Sequence, residues 1–129
     1  MLKKPNRSRE RATKKRERYD QRKGSHETVL KLCGGLCECG CGKQATETHE
    51  IQYRSAGGKC VPENQLGLSR DCHYHAHYGK VVIVPSDNGH GSTTKCIGGR
   101  EYVLMILEKY MGKPNDRWGA AREKLRKIL

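Results

Sequence analysis

The sequence has few of the residues that build a large apolar core. It contains no phenylalanine and one tryptophan among 129 residues, and 34% of its residues are hydrophobic. Its longest apolar runs, 81–84 and 102–107, are far below the ~18 residues that a membrane-spanning helix needs. The polar segment 1–23 has no stretch typical of a signal peptide. We therefore expect one small domain that does not enter a membrane, and such domains often depend on metals or disulfides.

Cysteine and histidine are abundant by comparison, and they are concentrated. Five of the seven cysteines and four of the six histidines fall between positions 37 and 77. An odd number of unevenly spaced cysteines beside histidines is typical of a metal site in a reducing compartment rather than of a disulfide framework. The pattern predicts an intracellular, metal-binding protein.

The excess of positive charge lies at the two ends of the chain. The net charge of +12 divides into +8 for residues 1–23, zero for 24–99 and +4 for 100–129. Basic flanks around a neutral centre are typical of a protein that grips nucleic-acid phosphate, although a solvated tail that only aids solubility has the same composition. The candidate phosphate contacts in the N-terminal arm are Arg7, Arg9, Arg11, Lys14, Lys15, Arg16 and Arg18.

Hydrophobic periodicity and turn residues predict a small α+β protein in three parts. Residues 1–24 form a basic arm, disordered or helical, 25–99 form the core, and 100–129 form basic helices that pack on the core. The predicted elements are a helix over 26–33 capped by Ser25, strands over 45–53 and 65–68, a helix over 72–78 capped by 69–71, a strand over 81–84, a polar loop over 85–99, and helices over 101–111 and 116–129.

A glycine-rich loop carries three of the cysteines and predicts a zinc site. Glycines at 34, 35, 40 and 42 surround Cys37, Cys39 and Cys41, and a backbone that turns tightly around thiolates favours metal binding. Structural zinc requires four ligands. The predicted set is Cys37, Cys41 and Cys72, with either Cys39 or Cys60 as the fourth.

Three histidines predict a second metal site. His73 and His77 are four residues apart on a predicted helix and share one face, while His49 lies on a predicted strand. His75 points off that face and is predicted to be a surface or phosphate contact. Hydrolysis of a phosphodiester needs a cation, an activated water and a base. The three histidines could hold the cation, and Glu50 is the favoured base.

Several of these groups, taken in order, resemble the HNH endonucleases over about a quarter of the chain. The matching residues are His49-Glu50-Ile51, Arg54, Gly57-Gly58, Asn64 and Cys72-His73-x3-His77. The resemblance implies a ββα-metal core that binds one divalent ion, such as magnesium, manganese, nickel or zinc, and hydrolyses DNA. It also implies that His49, His73 and His77 are ligands, that Asn64 positions the loop holding the base or metal, and that Arg54 lies near the scissile phosphate.

The sequence departs from that family pattern at two places. Glu50 stands where the usual base is a histidine, so either Glu50 is the base, or His49 is the base and a carboxylate takes its place as ligand. The second Cys-x2-Cys knuckle that many relatives use for zinc reads Ser69-Arg-Asp-Cys72 here. It therefore lacks one cysteine.

The resemblance also implies a biological setting. Stand-alone nuclease cores of this size resemble phage or prophage enzymes, which act in the bacterial cytoplasm with packaging or recombination proteins. A different class of function remains open, because the same cysteines and histidines could serve a non-catalytic, zinc-stabilised module that binds nucleic acid through its basic ends. Metal-dependent cutting of DNA distinguishes the two.

Overall fold

The computed structural model describes residues 7–86 and 89–129. Within these residues the chain forms four helices and two antiparallel sheets of two strands each, which confirms the small α+β class. No described helix has the length and apolar character needed to cross a membrane. The elements are α1 (Arg7–Leu32), β1 (Glu47–Glu50), β2 (Gln65–Leu68), α2 (Arg70–Tyr78), β3 (Lys80–Pro85), β4 (Ser92–Ile97), α3 (Gly99–Lys109) and α4 (Gly119–Ile128).

One continuous helix, α1, replaces the predicted break between the arm and the core. The arm is helical from Arg7 onward, while residues 1–6 of the predicted arm lie outside the described residues. The predicted helix start at Ser25 is wrong, because the Ser25 hydroxyl donates to the side chain of Gln65 in β2 instead of capping a helix. A glycine inside a helix costs only about 1 kcal/mol, and the buried side chain of Val29 anchors this end of α1.

A short hairpin, β1–β2, forms the centre of the molecule. The strands pair from Glu47 with Leu68 to Glu50 with Gln65. β2 has the predicted bounds, but β1 is shorter than the predicted strand over 45–53. It ends early because the backbone N–H of Gln52 donates to the Asn64 side chain, at 2.9 Å, rather than to a strand partner. Two 3-10 turns, Arg54–Ala56 and Pro62–Asn64, shape the connection.

Helix α2 packs on this hairpin and carries most of the candidate ligands. The Ser69 hydroxyl accepts a hydrogen bond from the Cys72 backbone N–H at 3.4 Å, and Gly79 ends the helix, as predicted. α3 and α4 follow near the predicted positions and complete the core. The largest fully buried side chains are Trp118, Leu66, Leu68, Ile106, Leu107, Val29 and Val103.

A β-ribbon lies where the sequence predicted a polar loop. β3 occupies the predicted strand, but the prediction of a loop over 85–99 is wrong, because β4 pairs with β3 from Lys80–Ile97 to Pro85–Ser92. The threonines and isoleucine of β4 favour strands. The strand is exposed along nearly its whole length, so no alternation of apolar and polar residues indicated it. Residues 87–88 lie outside the described residues.

Candidate metal sites and their surroundings

Four cysteines meet where the loop after α1 reaches the start of α2. Three come from the loop, and Cys72 comes from the helix. The Sγ atoms of Cys39 and Cys72 are 3.1 Å apart, those of Cys37 and Cys39 are 3.3 Å apart, and those of Cys41 and Cys72 are 3.7 Å apart. Four thiolates around one zinc ion lie about 3.8 Å from each other. These four cysteines could therefore hold a metal ion such as zinc.

The structure selects Cys39 rather than Cys60 as the fourth member. The Cys60 thiol lies elsewhere, where it accepts a hydrogen bond from Gln65 Nε2 at 3.4 Å. Cys39 enters the cluster because Gly40 and Gly42 have φ of +88° and +82°, a region that favours glycine. These two turns lie on either side of Cys41.

The cysteine loop is fastened to the core by a buried ion pair. Glu38 accepts hydrogen bonds from Arg117 at 2.7 and 3.0 Å and from the Gly67 backbone N–H at 2.8 Å. The Glu38 side chain is 5% exposed and that of Arg117 is 15% exposed. Two hydrogen bonds in a fork-to-fork pair fix orientation as well as position. The pair therefore holds the loop against both β2 and the C-terminal part of the chain.

Hydrogen bonds within this cluster favour the thiolate form of Cys41. Although partial burial opposes ionisation, hydrogen bonds from the Lys43 backbone and from neighbouring thiols lower the pKa of Cys41 to about 6. Burial and the hydrogen bonds of the same thiols raise the pKa of Cys39. A metal ion binds the thiolate form, which Cys41 already favours, whereas burial raises the pKa of Cys37 and of Cys39.

Three histidines form a second cluster, between β1 and α2. The candidate ligand nitrogens of His49, His73 and His77 lie within 4.8 Å of one another. The two Nε2 atoms of His73 and His77 are 3.1 Å apart. His75 is outside the cluster, because its Nδ1 donates to the Gly79 carbonyl at 3.2 Å. His49 lies on a strand, and His73 and His77 lie four residues apart on a helix, as the sequence predicted.

Glu47 is a site residue that the sequence reasoning missed. It shares the face of β1 with His49, since residues two apart on a strand point to the same side. His73 Nδ1 donates to Glu47 Oε2 at 3.0 Å. A carboxylate on Nδ1 fixes the ring orientation and leaves the Nε2 lone pair for a metal. The two-residue spacing of Glu47 and His49 in a predicted strand is the sequence signal that indicates a shared face.

The electrostatics of the histidine cluster fit a metal ion. His49 is 3% exposed, and its Nδ1 has no hydrogen-bond partner among the described residues. Burial and the two neighbouring histidines lower the pKa of His49 to about 3, and burial together with His73 lowers the pKa of His77. Neutral imidazole is the form that binds metals. A buried nitrogen without a partner, beside two converging imidazoles, fits a divalent cation.

Glu50, the favoured base, is not brought to the histidine cluster. Adjacent residues on a strand point to opposite sides, so Glu50 faces α1 together with Thr48. Thr48 is hydrogen-bonded to His26 of α1 at 3.2 Å, and Glu50 lines a recess with His26 and Arg22. The structure therefore places the Glu50 carboxylate on the opposite side of β1 from His73 and His77.

Asn64 and Arg54 lie in the connection of the hairpin, and the hydrogen bonds of Asn64 are made within it. The Asn64 amide donates to the carbonyls of Gln52 and Lys59 at 2.9 Å each, so Asn64 holds the connection of the hairpin closed. Arg54 is exposed in the first 3-10 turn. Burial and Glu50 raise the pKa of Cys60, whereas Arg22 and Arg54 oppose that rise.

The basic arm extends α1 away from its anchored end. All side chains from Ser8 to Gly24 are exposed, and 17 helical residues span about 26 Å. Arg7 begins the helix, and the other six candidate phosphate contacts are exposed on it. They are Arg9, Arg11, Lys14, Lys15, Arg16 and Arg18.

Comparisons of the chain with protein-family models, with curated proteins and with solved structures find no match. The function must therefore be argued from the two clusters and their surroundings.

Proposed function

We propose that the protein is a metal-dependent DNA endonuclease whose β1–β2 hairpin and α2 act as an HNH-like ββα-metal core. The observation that carries the proposal is the convergence of His49, His73 and His77, whose candidate ligand nitrogens lie within 4.8 Å of one another. They come from one strand and one helix face, the arrangement that the resemblance to HNH nucleases implies.

The two clusters suit different tasks. Catalytic metal sites keep a position open beside three protein ligands, whereas structural zinc sites are closed by four. The histidine cluster offers three ligands, of which His77 is exposed to solvent. A divalent ion bound there would supply a metal-bound water with a lowered pKa and would neutralise charge on the phosphoryl oxygens. The cysteine cluster would hold the structural zinc.

The residues of the chain position this chemistry. His49, His73 and His77 would hold the ion, Glu47 orients the His73 ring, and Asn64 keeps the adjoining connection in place. We leave Glu50 out of the proposed site because its carboxylate faces α1. His49 acts as a ligand rather than as the base, because a side chain that is 3% exposed has little access to water.

The basic helix supports DNA as the substrate. Eight arginines and lysines of α1 between Ser8 and Gly24 are exposed, including the six candidate phosphate contacts. Cationic side chains on an extended helix bind the phosphate backbone without regard to sequence. Action in the bacterial cytoplasm with phage packaging or recombination proteins is part of the proposal and depends on the family resemblance alone.

The second candidate function is a zinc-stabilised module that binds nucleic acid without cutting it. The closed cysteine cluster and the basic helix serve that function equally well, and the position of Glu50 away from the histidines favours it. In that case His49, His73 and His77 would form a second structural site.

Cleavage of supercoiled plasmid tests the proposal. The wild-type protein should nick or linearise plasmid with at least one of magnesium, manganese, nickel or zinc, and a chelator should stop the reaction. His77→Ala should abolish cutting because it removes a ligand. His75→Ala is the matched control, since His75 is on the same helix but outside the cluster.

Two outcomes would contradict the nuclease. One is wild-type protein that shifts DNA in a gel but cuts with none of the four metals, which would favour the binding module. The other is equal cutting by the wild type and by His77→Ala, which would place any activity outside the histidine cluster.

A further inference from the structure

A recess adjoins the exposed side of the histidine cluster and is lined by an arginine that the sequence did not indicate as a site residue. The recess has a volume of about 410 Å³ and is bordered by His77, Tyr53 and Arg100. Arg100 lies in the first turn of α3 and is exposed. It is therefore close enough to the proposed metal site to serve the same substrate.

Close backbone packing fixes this arginine relative to the metal-binding helix. A Cβ atom added at Gly99 would lie 2.5 Å from the Ala76 carbonyl oxygen and 2.8 Å from that of His77. Real Cβ atoms do not approach so closely, so only glycine lets the start of α3 touch the last turn of α2 directly. The position of Arg100 thus follows that of His77.

The Tyr53 ring neighbours both residues. It stacks on the His77 imidazole with an interplanar angle of 21° and ring centroids 6.1 Å apart. The guanidinium carbon of Arg100 lies 5.8 Å from the centroid of the same tyrosine ring. An arginine over an aromatic face is held in place while its N–H groups stay available for a phosphate.

We propose that Arg100, supported by Tyr53, binds the DNA phosphate next to the one at the histidine cluster. The inference rests on the proposed nuclease function. Glu101 also lines the recess, so its carboxylate opposes an anion and limits the site to one phosphate held by the guanidinium.

Binding of a fluorescent DNA duplex to the metal-loaded protein, measured by anisotropy over a range of salt, tests this subsite. Arg100→Ala should raise Kd about 10-fold and reduce the slope of log K against log salt by about 1, the change expected for one phosphate contact. Glu101→Gln should lower Kd because it removes an opposing charge. Lys95→Ala, on the exposed ribbon, is the charge-matched control and should leave both quantities unchanged.

The outcomes separate this inference from the nuclease proposal. An Arg100→Ala protein that keeps the wild-type Kd and salt slope would overturn the subsite, whether or not the wild type cuts DNA. Equal losses in Arg100→Ala and Lys95→Ala would also overturn it, because the effect would then be one of overall charge. A specific loss in Arg100→Ala without cutting by the wild type would support the phosphate contact and refute the nuclease.

Discussion

The cysteine and histidine clusters share helix α2, which supplies Cys72 to one and His73 and His77 to the other, and they differ in ligand number, ligand type and exposure. The cysteine cluster has four members, two of them buried, and is fastened by the Glu38–Arg117 ion pair. The histidine cluster has three members and an exposed face at His77. A closed set of ligands held by the core suits a structural ion, and an open set at the surface suits chemistry. Under the proposed function, α2 therefore supplies one ligand, Cys72, to a structural ion and two ligands, His73 and His77, to a catalytic ion.

Loss of the cysteine cluster should have the largest effect. Cys72→Ser removes a buried ligand on α2, and a structural zinc contributes on the order of 10 kcal/mol to small domains. We therefore expect the protein to lose its cooperative thermal transition by circular dichroism. Cys96→Ser, which changes an exposed cysteine outside the cluster, is the control. A Cys72→Ser protein that melts like the wild type would contradict the structural role.

Loss of the histidine cluster should abolish cutting while the fold remains. His73→Ala should reduce the cleavage rate by more than about 100-fold, because even an outer partner of a ligand is worth about 10- to 100-fold. Its melting temperature should stay within a few degrees of the wild type, since His73 is only partly buried. Unfolding of His73→Ala would show that both clusters are structural, and the contrast between them would disappear.

The two glutamates of β1 offer a finer test on a single strand. Glu47→Gln should lower metal affinity or cleavage about 10- to 100-fold, because it weakens the acceptor that orients His73. Glu50→Gln should change cleavage by less than about 3-fold, since Glu50 faces α1. Single-turnover rates measured over a range of metal concentration distinguish the two variants. The reverse order of effects would restore Glu50 as the base.

The basic arm should affect binding without affecting either cluster. Replacing Lys14, Lys15, Arg16 and Arg18 by glutamine should lower the salt slope of DNA binding by up to about 3.6, at about 0.9 for each phosphate contact. The rate at saturating DNA should change little, because the arm is remote from the histidines. An unchanged salt slope would show that the arm is a solvated tail.

Local signals in the sequence predicted much of this arrangement. The spacing of His73 and His77 placed both on one helix face, and Ser69 began that helix as predicted. Other features depend on tertiary contacts. Gly24 and Ser25 predicted a helix boundary. The helix continues through them, and it is held there by the buried Val29 side chain and the Ser25–Gln65 hydrogen bond.

The prediction of Glu50 as the base depends on its position next to His49 in the sequence. Neighbours on a strand face opposite sides of it. His49 and Glu50 could not both face α2 once they lay in one strand. The same rule would have indicated Glu47, two residues from His49. The fourth thiol could not be chosen from sequence, since it depends on the turns at Gly40 and Gly42.

Titration of the metal-free protein with cobalt tests most directly whether the two clusters are separate structural and catalytic metal sites. Visible absorption reports thiolate ligation, and DNA cleavage is measured in the same samples. The first equivalent should give the thiolate charge-transfer band without cutting, and the second should give cutting without a further thiolate band. A His73→Ala, His77→Ala protein should bind only the first equivalent. Cutting that is complete with the first equivalent, or two equivalents bound by the double variant, would contradict separate structural and catalytic sites.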